Sequence, residues 1–138
     1  MNDDLKYMKL AMDLAAKGKG WVNPNPMVGA VIVKNQAIIG QGYHQQFGGL
    51  HAERESLANC QEDPSGATIY VTLEPCCHWG KTPPCTEALI EAGIQRVVVA
   101  CLDPNPLVAG KGVERLQAAG ISVDVGILAD QVSDQLRY

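Results

Sequence analysis

Apolar residues in the first stretch of the chain recur at helical spacing. Leu5, Met8, Met12 and Ala15 form one stripe, and Gly18 and Gly20 end it. This predicts an amphipathic helix over 3–18 whose stripe packs into a core. WVNPNP (21–26) breaks the pattern, because two prolines fix the backbone and remove donors. VGAVIVK (28–34), a short turn at Asn35-Gln36 and AIIGQGYH (37–44) read as a β-hairpin. A second helix is expected from about His51 to Cys60. ATIYVTLE (67–74) is a nearly continuous apolar run, the pattern of a strand buried on both faces.

Thr82-Pro83-Pro84 reads as a helix start, with a hydroxyl cap and proline at the first helical position. That helix runs to about Ala92 and stops at Gly93. RVVVACL (96–102) is a further buried strand, and DPNP (103–106) is a rigid loop. VERLQAAG (113–120) is a short helix ended by Gly120. ISVDVGIL (121–128) supplies a last strand, and a final helix follows from about Asp130. Helix, hairpin, then alternating helix and strand predicts a central mixed sheet with helices on both faces. No internal repeat, low-complexity tract or linker interrupts the order, so residues 1–138 are expected to form one domain.

Composition narrows the classes. The chain has 138 residues, 46% hydrophobic and 19% charged, which suits one soluble core. Its formal net charge of −4 disfavours a partner held by phosphate charge, such as long DNA or RNA. A small phosphorylated substrate needs only one or two local cations and stays open. MNDDLKYMKL begins acidic and has no long apolar run, so neither an export signal nor a membrane span is expected there. The five cysteines are odd in number, and Cys76, Cys77 and Cys85 crowd into ten positions. Metal binding explains that cluster better than a disulfide framework, and the cytoplasm is the expected compartment.

The chemistry concentrates in His51-Ala-Glu53 and in Glu74-Pro-Cys76-Cys-His-Trp-Gly-Lys81-Thr-Pro-Pro-Cys85. A catalytic zinc takes three protein ligands and keeps one position open for water. His51, Cys76 and Cys85 supply three, and their two thiolates leave the centre neutral yet able to polarise water. A carboxylate outside the ligand set is then needed to carry a proton, and Glu53 is the candidate. Residues two apart do not share a face in mid-helix, but at a helix start both can address one cleft. A structural zinc site would want a fourth ligand, from Cys77, His78 or elsewhere. It would have no use for a free carboxylate beside the metal.

His-Ala-Glu followed by Pro-Cys and a later cysteine resembles the cytidine-deaminase-like superfamily, whose fold is a three-layer α/β/α sandwich. In most of its members the two cysteines stand three positions apart; here Cys76 and Cys85 stand nine apart. With Thr72-Leu-Glu-Pro-Cys76, Gly80-Lys-Thr-Pro-Pro-Cys85 and Asp103-Pro-Asn-Pro-Leu-Val-Ala-Gly110, the chain is similar to the deaminases of riboflavin biosynthesis from about Tyr7 to Ala129. That resemblance implies hydrolytic deamination of a phosphorylated ribosylamino-pyrimidine with Zn2+ as cofactor. It also implies a substrate pocket of Asn25, His44, Lys81, Asp103 and Asn105. Lys81 or His44 would meet the phosphate, and the others would pair with ring amides and sugar hydroxyls.

The resemblance further implies a homo-oligomer, and a reductase domain or partner, since such proteins usually continue into a reductase of the dihydrofolate-reductase type. This chain stops at Tyr138, so a stand-alone deaminase and a fragment of such a protein are both open, and it holds no dinucleotide fingerprint: Gly40-Gln-Gly42 is followed by Gln45 instead of a third glycine. No NADPH-dependent step is expected of it. Cys77 stands where serine is commoner. As neighbouring side chains diverge, it is left out of the ligand set. The rival readings are a cytidylate or tRNA adenosine deaminase, and a zinc-stabilised interaction module without catalysis.

Overall fold

The computed structural model describes residues 2–17, 28–43, 51–75, 84–102 and 109–136. The elements are α1 (Asn2–Ala16), β1 (Gly29–Lys34), β2 (Ala37–Tyr43), α2 (Ala52–Ala58), β3 (Thr68–Leu73), α3 (Cys85–Glu91), β4 (Arg96–Cys101), α4 (Lys111–Ala118), β5 (Ser122–Val125) and α5 (Ala129–Leu136). The strands form one sheet in the order β2-β1-β3-β4-β5. β1 is antiparallel to both β2 and β3, while β3, β4 and β5 are mutually parallel. Four strands therefore point one way and β1 alone runs back between them.

The central strands sort their side chains by alternation, as a sheet buried on both faces must. Ala30, Ile32, Ile69, Val71, Val97 and Val99 join one core with Ala52, Leu89 and Leu116 from α2, α3 and α4. Val31, Val33, Tyr70, Val98 and Ala100 join a second core with Met8, Ala11 and Val132 from α1 and α5. Two helices on one face and three on the other make the three-layer α/β/α sandwich. The helices α2, α3 and α4 share a face because each forms the crossover between parallel strands, always in the same direction along the sheet, and such crossovers keep one hand.

The hairpin turn is tight. Asn35 and Gln36 carry φ of 52° and 65°, the left-handed pair that matches the twist of the flanking strands. One bulge interrupts the β1–β2 register between Ile32 and Val33. It turns Ile39 and Gly40, consecutive in β2, both inward.

The burial of α1 and several element boundaries differ from expectation. Leu5 is 44% exposed, and the buried stripe of α1 is Tyr7, Met8, Ala11, Leu14 and Ala15. The helix α3 starts at Cys85 with Pro84 as its cap residue, two positions past the expected start. A proline disfavours helical backbone in the residue before it, so the second proline of a pair sets the earliest start. The helix α4 begins at Lys111 instead of Val113. The last strand stops at Val125, where Gly126 (φ 114°) and Leu128 (φ 58°) turn the chain into α5.

One polar cluster, not anticipated, ties α1 to the sheet. The Asp4 carboxylate accepts from Arg96 Nη1 at 3.0 Å, Arg96 Nη2 at 2.9 Å and the Tyr70 hydroxyl at 2.6 Å. Arg96 Nε also donates to Asp124 at 2.9 Å. The forked guanidinium bond, helped by Tyr70 and opposed by burial, holds the Asp4 carboxyl at about 2, below its ordinary 3.8. Its side chain is only 17% exposed, so screening is partial. A depressed carboxyl stabilises the fold above its unfolded value and loses that contribution as pH falls through the folded one. Asp4→Asn should cost about 1 kcal/mol at neutral pH after allowance for solvent screening. Urea titrations should show the gap between parent and variant closing from about pH 4 to about pH 2. A gap that stays constant over that range would count against the ion pair.

Candidate active site and metal centre

The helix α2 is seated on glycine. A Cβ at Gly40 would lie 2.5 Å from the Ser56 carbonyl, and one at Gly42 would lie 2.7 Å from the Ser56 amide. Gly-x-Gly in β2 thus serves close helix–strand contact. It sets the position of the helix that carries His51 and Glu53. His51 is the N-cap residue, extended at φ −69° and ψ 158°, and its carbonyl accepts from the Glu55 amide at 2.9 Å. Glu53, second in the helix, is 4% exposed, and the Ser56 hydroxyl donates to its carbonyl oxygen at 2.8 Å.

Cys85 opens α3 and is 1% exposed. A thiolate at a helix start is favoured by the helix dipole and the free first-turn amides. His51 Nδ1 lies 3.3 Å from Cys85 Sγ. Ligands at about 2.1 and 2.3 Å on a tetrahedral zinc stand roughly 3.6 Å apart, so this imidazole–thiol pair needs little movement to share a metal. Arg54, between the two acidic residues of α2, extends Nη2 to the Pro84 carbonyl at 3.4 Å. It bridges the starts of the two ligand-bearing helices.

Glu74, at the exit of β3, is 6% exposed. Its Oε1 accepts from the Gly110 amide at 3.0 Å and its Oε2 from the Val113 amide at 3.1 Å, both at the start of α4. Cys60 and Cys101 play another part. Their thiols point to the Ser56 and Ala129 carbonyls at 3.5 and 3.3 Å, and burial pushes both pKa values up. Protonated thiols are poor metal ligands.

Of the residues expected at the site, the structure brings His51 and Cys85 together and buries Glu53 one residue inside α2. Asn25, His44, Cys76, Lys81, Asp103 and Asn105 lie outside the described residues, as do Cys77 and His78. Their described flanks do converge. Val28 precedes the reversed strand β1, Tyr43 ends β2, Pro75 follows β3, Pro84 precedes α3 and Leu102 follows β4. All five therefore sit at one end of the sheet. A separate cavity of about 640 Å³ beside β2, lined by Lys17, Ile38, Gln41, Glu55 and Asn59 among others, includes none of His51, Glu53 and Cys85.

Sequence reasoning missed Glu74 and Arg54. Glu74 had a readable signal: a carboxylate closing a buried apolar strand needs donors, and a glycine-flanked helix start supplies bare amides. Arg54 had none, since an arginine on a short helix is ordinarily a solvated charge.

The model of the cytidine and deoxycytidylate deaminase zinc-binding region matches residues 1–101. The "Riboflavin biosynthesis protein RibD" of Aquifex aeolicus is 58% identical over 131 residues, which is 95% of this chain and 37% of that protein. The "Diaminohydroxyphosphoribosylamino-pyrimidine deaminase" of Buchnera aphidicola is 50% identical over 94% of this chain and 88% of its own length. The chain belongs to the diaminohydroxyphosphoribosylaminopyrimidine deaminases. A solved Thermotoga maritima protein, named as that deaminase and as a 5-amino-6-(5-phosphoribosylamino)uracil reductase, superposes with a TM-score of 0.92. It is 51% identical, over 97% of this chain and 39% of its own. Against RibD proteins such as that of Aquifex aeolicus the chain spans little more than a third of their length. Family membership brings a zinc-binding region with it. No helix among the described residues is long and apolar enough to cross a membrane.

Proposed function

We propose that residues 1–138 act as one zinc-dependent deaminase domain. It would hydrolyse the ring amine of 2,5-diamino-6-(5-phosphoribosylamino)pyrimidin-4(3H)-one in riboflavin biosynthesis and release ammonia. The supporting observation is the His51–Cys85 pair at 3.3 Å, on the starts of two facing helices, with the buried Glu53 two residues from the histidine. His51, Cys85 and Cys76 would hold the metal. When bound, zinc acts as a Lewis acid that lets water deprotonate near neutral pH.

Glu53 would take a proton from the attacking water and return it to the departing amine, so water supplies the new ring oxygen and the amine leaves as ammonia. Its burial excludes competing solvent from that transfer. Lys81 or His44 would meet the phosphate, with Asn25, Asp103 and Asn105 on ring amides and ribose hydroxyls. The names and the identity of the relatives support this substrate, as does the nine-residue cysteine spacing. The reading includes a cytoplasmic protein, where thiols stay reduced. It also includes a homo-oligomer that works beside a reductase domain or partner.

Three outcomes test it. Metal analysis should find one zinc per chain, lost in Cys85→Ser and Cys76→Ser and kept in Cys77→Ser; the reverse pattern would overturn the ligand set. Glu53→Gln should keep fold and zinc while turnover falls by about two to four orders of magnitude. Near-normal turnover would remove Glu53 from its role. Ammonia release should be fast with the diaminopyrimidine phosphate and slow with cytidine, cytidylate and tRNA, and Lys81→Ala should weaken the phosphorylated substrate while sparing zinc. Faster release from cytidylate or tRNA would sink the substrate assignment.

A further inference from the structure

A helix is ordinarily capped by the side chain of its own N-cap residue, two or three positions before the amides it satisfies. The N-cap of α4 is Gly110, which has no side chain to offer. Its first-turn amides are met instead by Glu74, 36 residues earlier in the chain, with one carboxylate oxygen on Gly110 and the other on Val113. The Glu74 amide donates to the Cys101 carbonyl at 2.9 Å, so the same residue also ties the exits of β3 and β4 together.

The contact leaves no slack. A Cβ at Gly112, second in α4, would lie 2.2 Å from the Pro75 carbonyl oxygen and 3.1 Å from Glu74 Cγ. What hangs on either side of this joint is the chemistry. Cys76 follows Pro75 directly, and the segment 103–108, with Asp103 and Asn105, runs into the start of α4.

We infer that Glu74 is a positioning residue, which through its two bonds to the start of α4 holds Pro75, the neighbour of the proposed ligand Cys76, in fixed relation to the helix that follows the proposed substrate residues Asp103 and Asn105 in sequence. The inference rests on the ligand and substrate reading given above. A carboxylate spanning 36 residues does more than end a helix. Its loss would let Pro75 and the start of α4 shift independently, so metal retention and substrate affinity would suffer beyond any loss of fold.

The test uses the full zinc-loaded chain and three variants. Glu74→Gln removes the charge at nearly constant size. Gly112→Ala presses on the same joint from the helix side. Gly120→Ala is the control, since Gly120 (φ 87°) lies beyond the far end of α4 with open space around it, and alanine there brings strain alone. Zinc release to a colorimetric chelator, KM and kcat for the diaminopyrimidine phosphate, and Tm are measured for each. Glu74→Gln and Gly112→Ala should release zinc about ten to a hundred times faster, the usual effect of losing a support behind a ligand. Both should raise KM by about tenfold or more with a smaller change in kcat.

Gly120→Ala should lower Tm while zinc release and KM stay within about twofold of the parent. Parent-like zinc release and KM in a folded Glu74→Gln or Gly112→Ala would reduce Glu74 to a helix cap and overturn the inference. Equal acceleration by Gly120→Ala would do the same. The underlying reading fails differently: a parent chain that holds no zinc sinks the metal centre, and one that holds zinc without turning over the substrate sinks the substrate assignment.

Discussion

The direction of the strands governs everything at the site. β2, β3 and β4 run the same way, so the helices that follow them, α2, α3 and α4, all begin at the same end of the sheet. Helix starts carry bare amides and a positive dipole, the environment that favours thiolates and carboxylates. In α/β sheets the region beyond the carboxyl ends of the strands is where ligands gather. The reversed strand β1 fits this plan, because its leading end, at Val28 and Gly29, lies at the same end of the sheet. That five described flanks, Val28, Tyr43, Pro75, Pro84 and Leu102, share one end of the sheet is thus a consequence of topology before any side chain is considered.

Close approach fixes the geometry within that plan. Gly40 and Gly42 let α2 lie directly on β2, and Gly112 lets α4 lie on the Pro75 backbone. A side chain at any of the three would push a helix outward by more than the tolerance of a metal site, where ligand distances vary by only about 0.2 Å. The 3.3 Å approach of His51 to Cys85 depends on helices that cannot drift. Glu74 and Arg54 then act in the plane across the helix starts, one by carboxylate to amide and the other by guanidinium to carbonyl.

Much of this was legible in the sequence, for definite reasons. Valine-rich runs such as RVVVACL announce strands buried on both faces, and glycine or proline punctuation marks the helices. The approach of His51 to Cys85 was foreseeable because a shared metal would demand it of donors 34 residues apart. Other features were not. The exposure of Leu5 depends on which arc of α1 meets the sheet, and periodicity leaves an arc of this width ambiguous. The Asp4–Arg96 pair joins residues far apart in sequence, and a charge near a helix start has a sufficient local explanation in the dipole. Gly-x-Gly in β2 read only as a failed fingerprint, because a contact that excludes a side chain leaves no mark beyond the glycine itself.

The placement of charge completes the logic. The Asp4–Arg96–Tyr70 cluster lies towards the opposite end of the sheet, where β4 begins, and Tyr7 in the same helix reaches the hairpin turn at Gln36. That end holds a forked ion pair satisfied by protein groups. A fully paired cluster at the other end would compete with substrate and metal for the same donors. There the structure uses backbone amides and carbonyls for support, as with Glu74 on α4 and Arg54 on Pro84. Each of these two charged side chains is met by neutral backbone groups, which fix its position by hydrogen bonding. Rigidity and reactivity are in this way supplied by different chemistry at the two ends of one sheet.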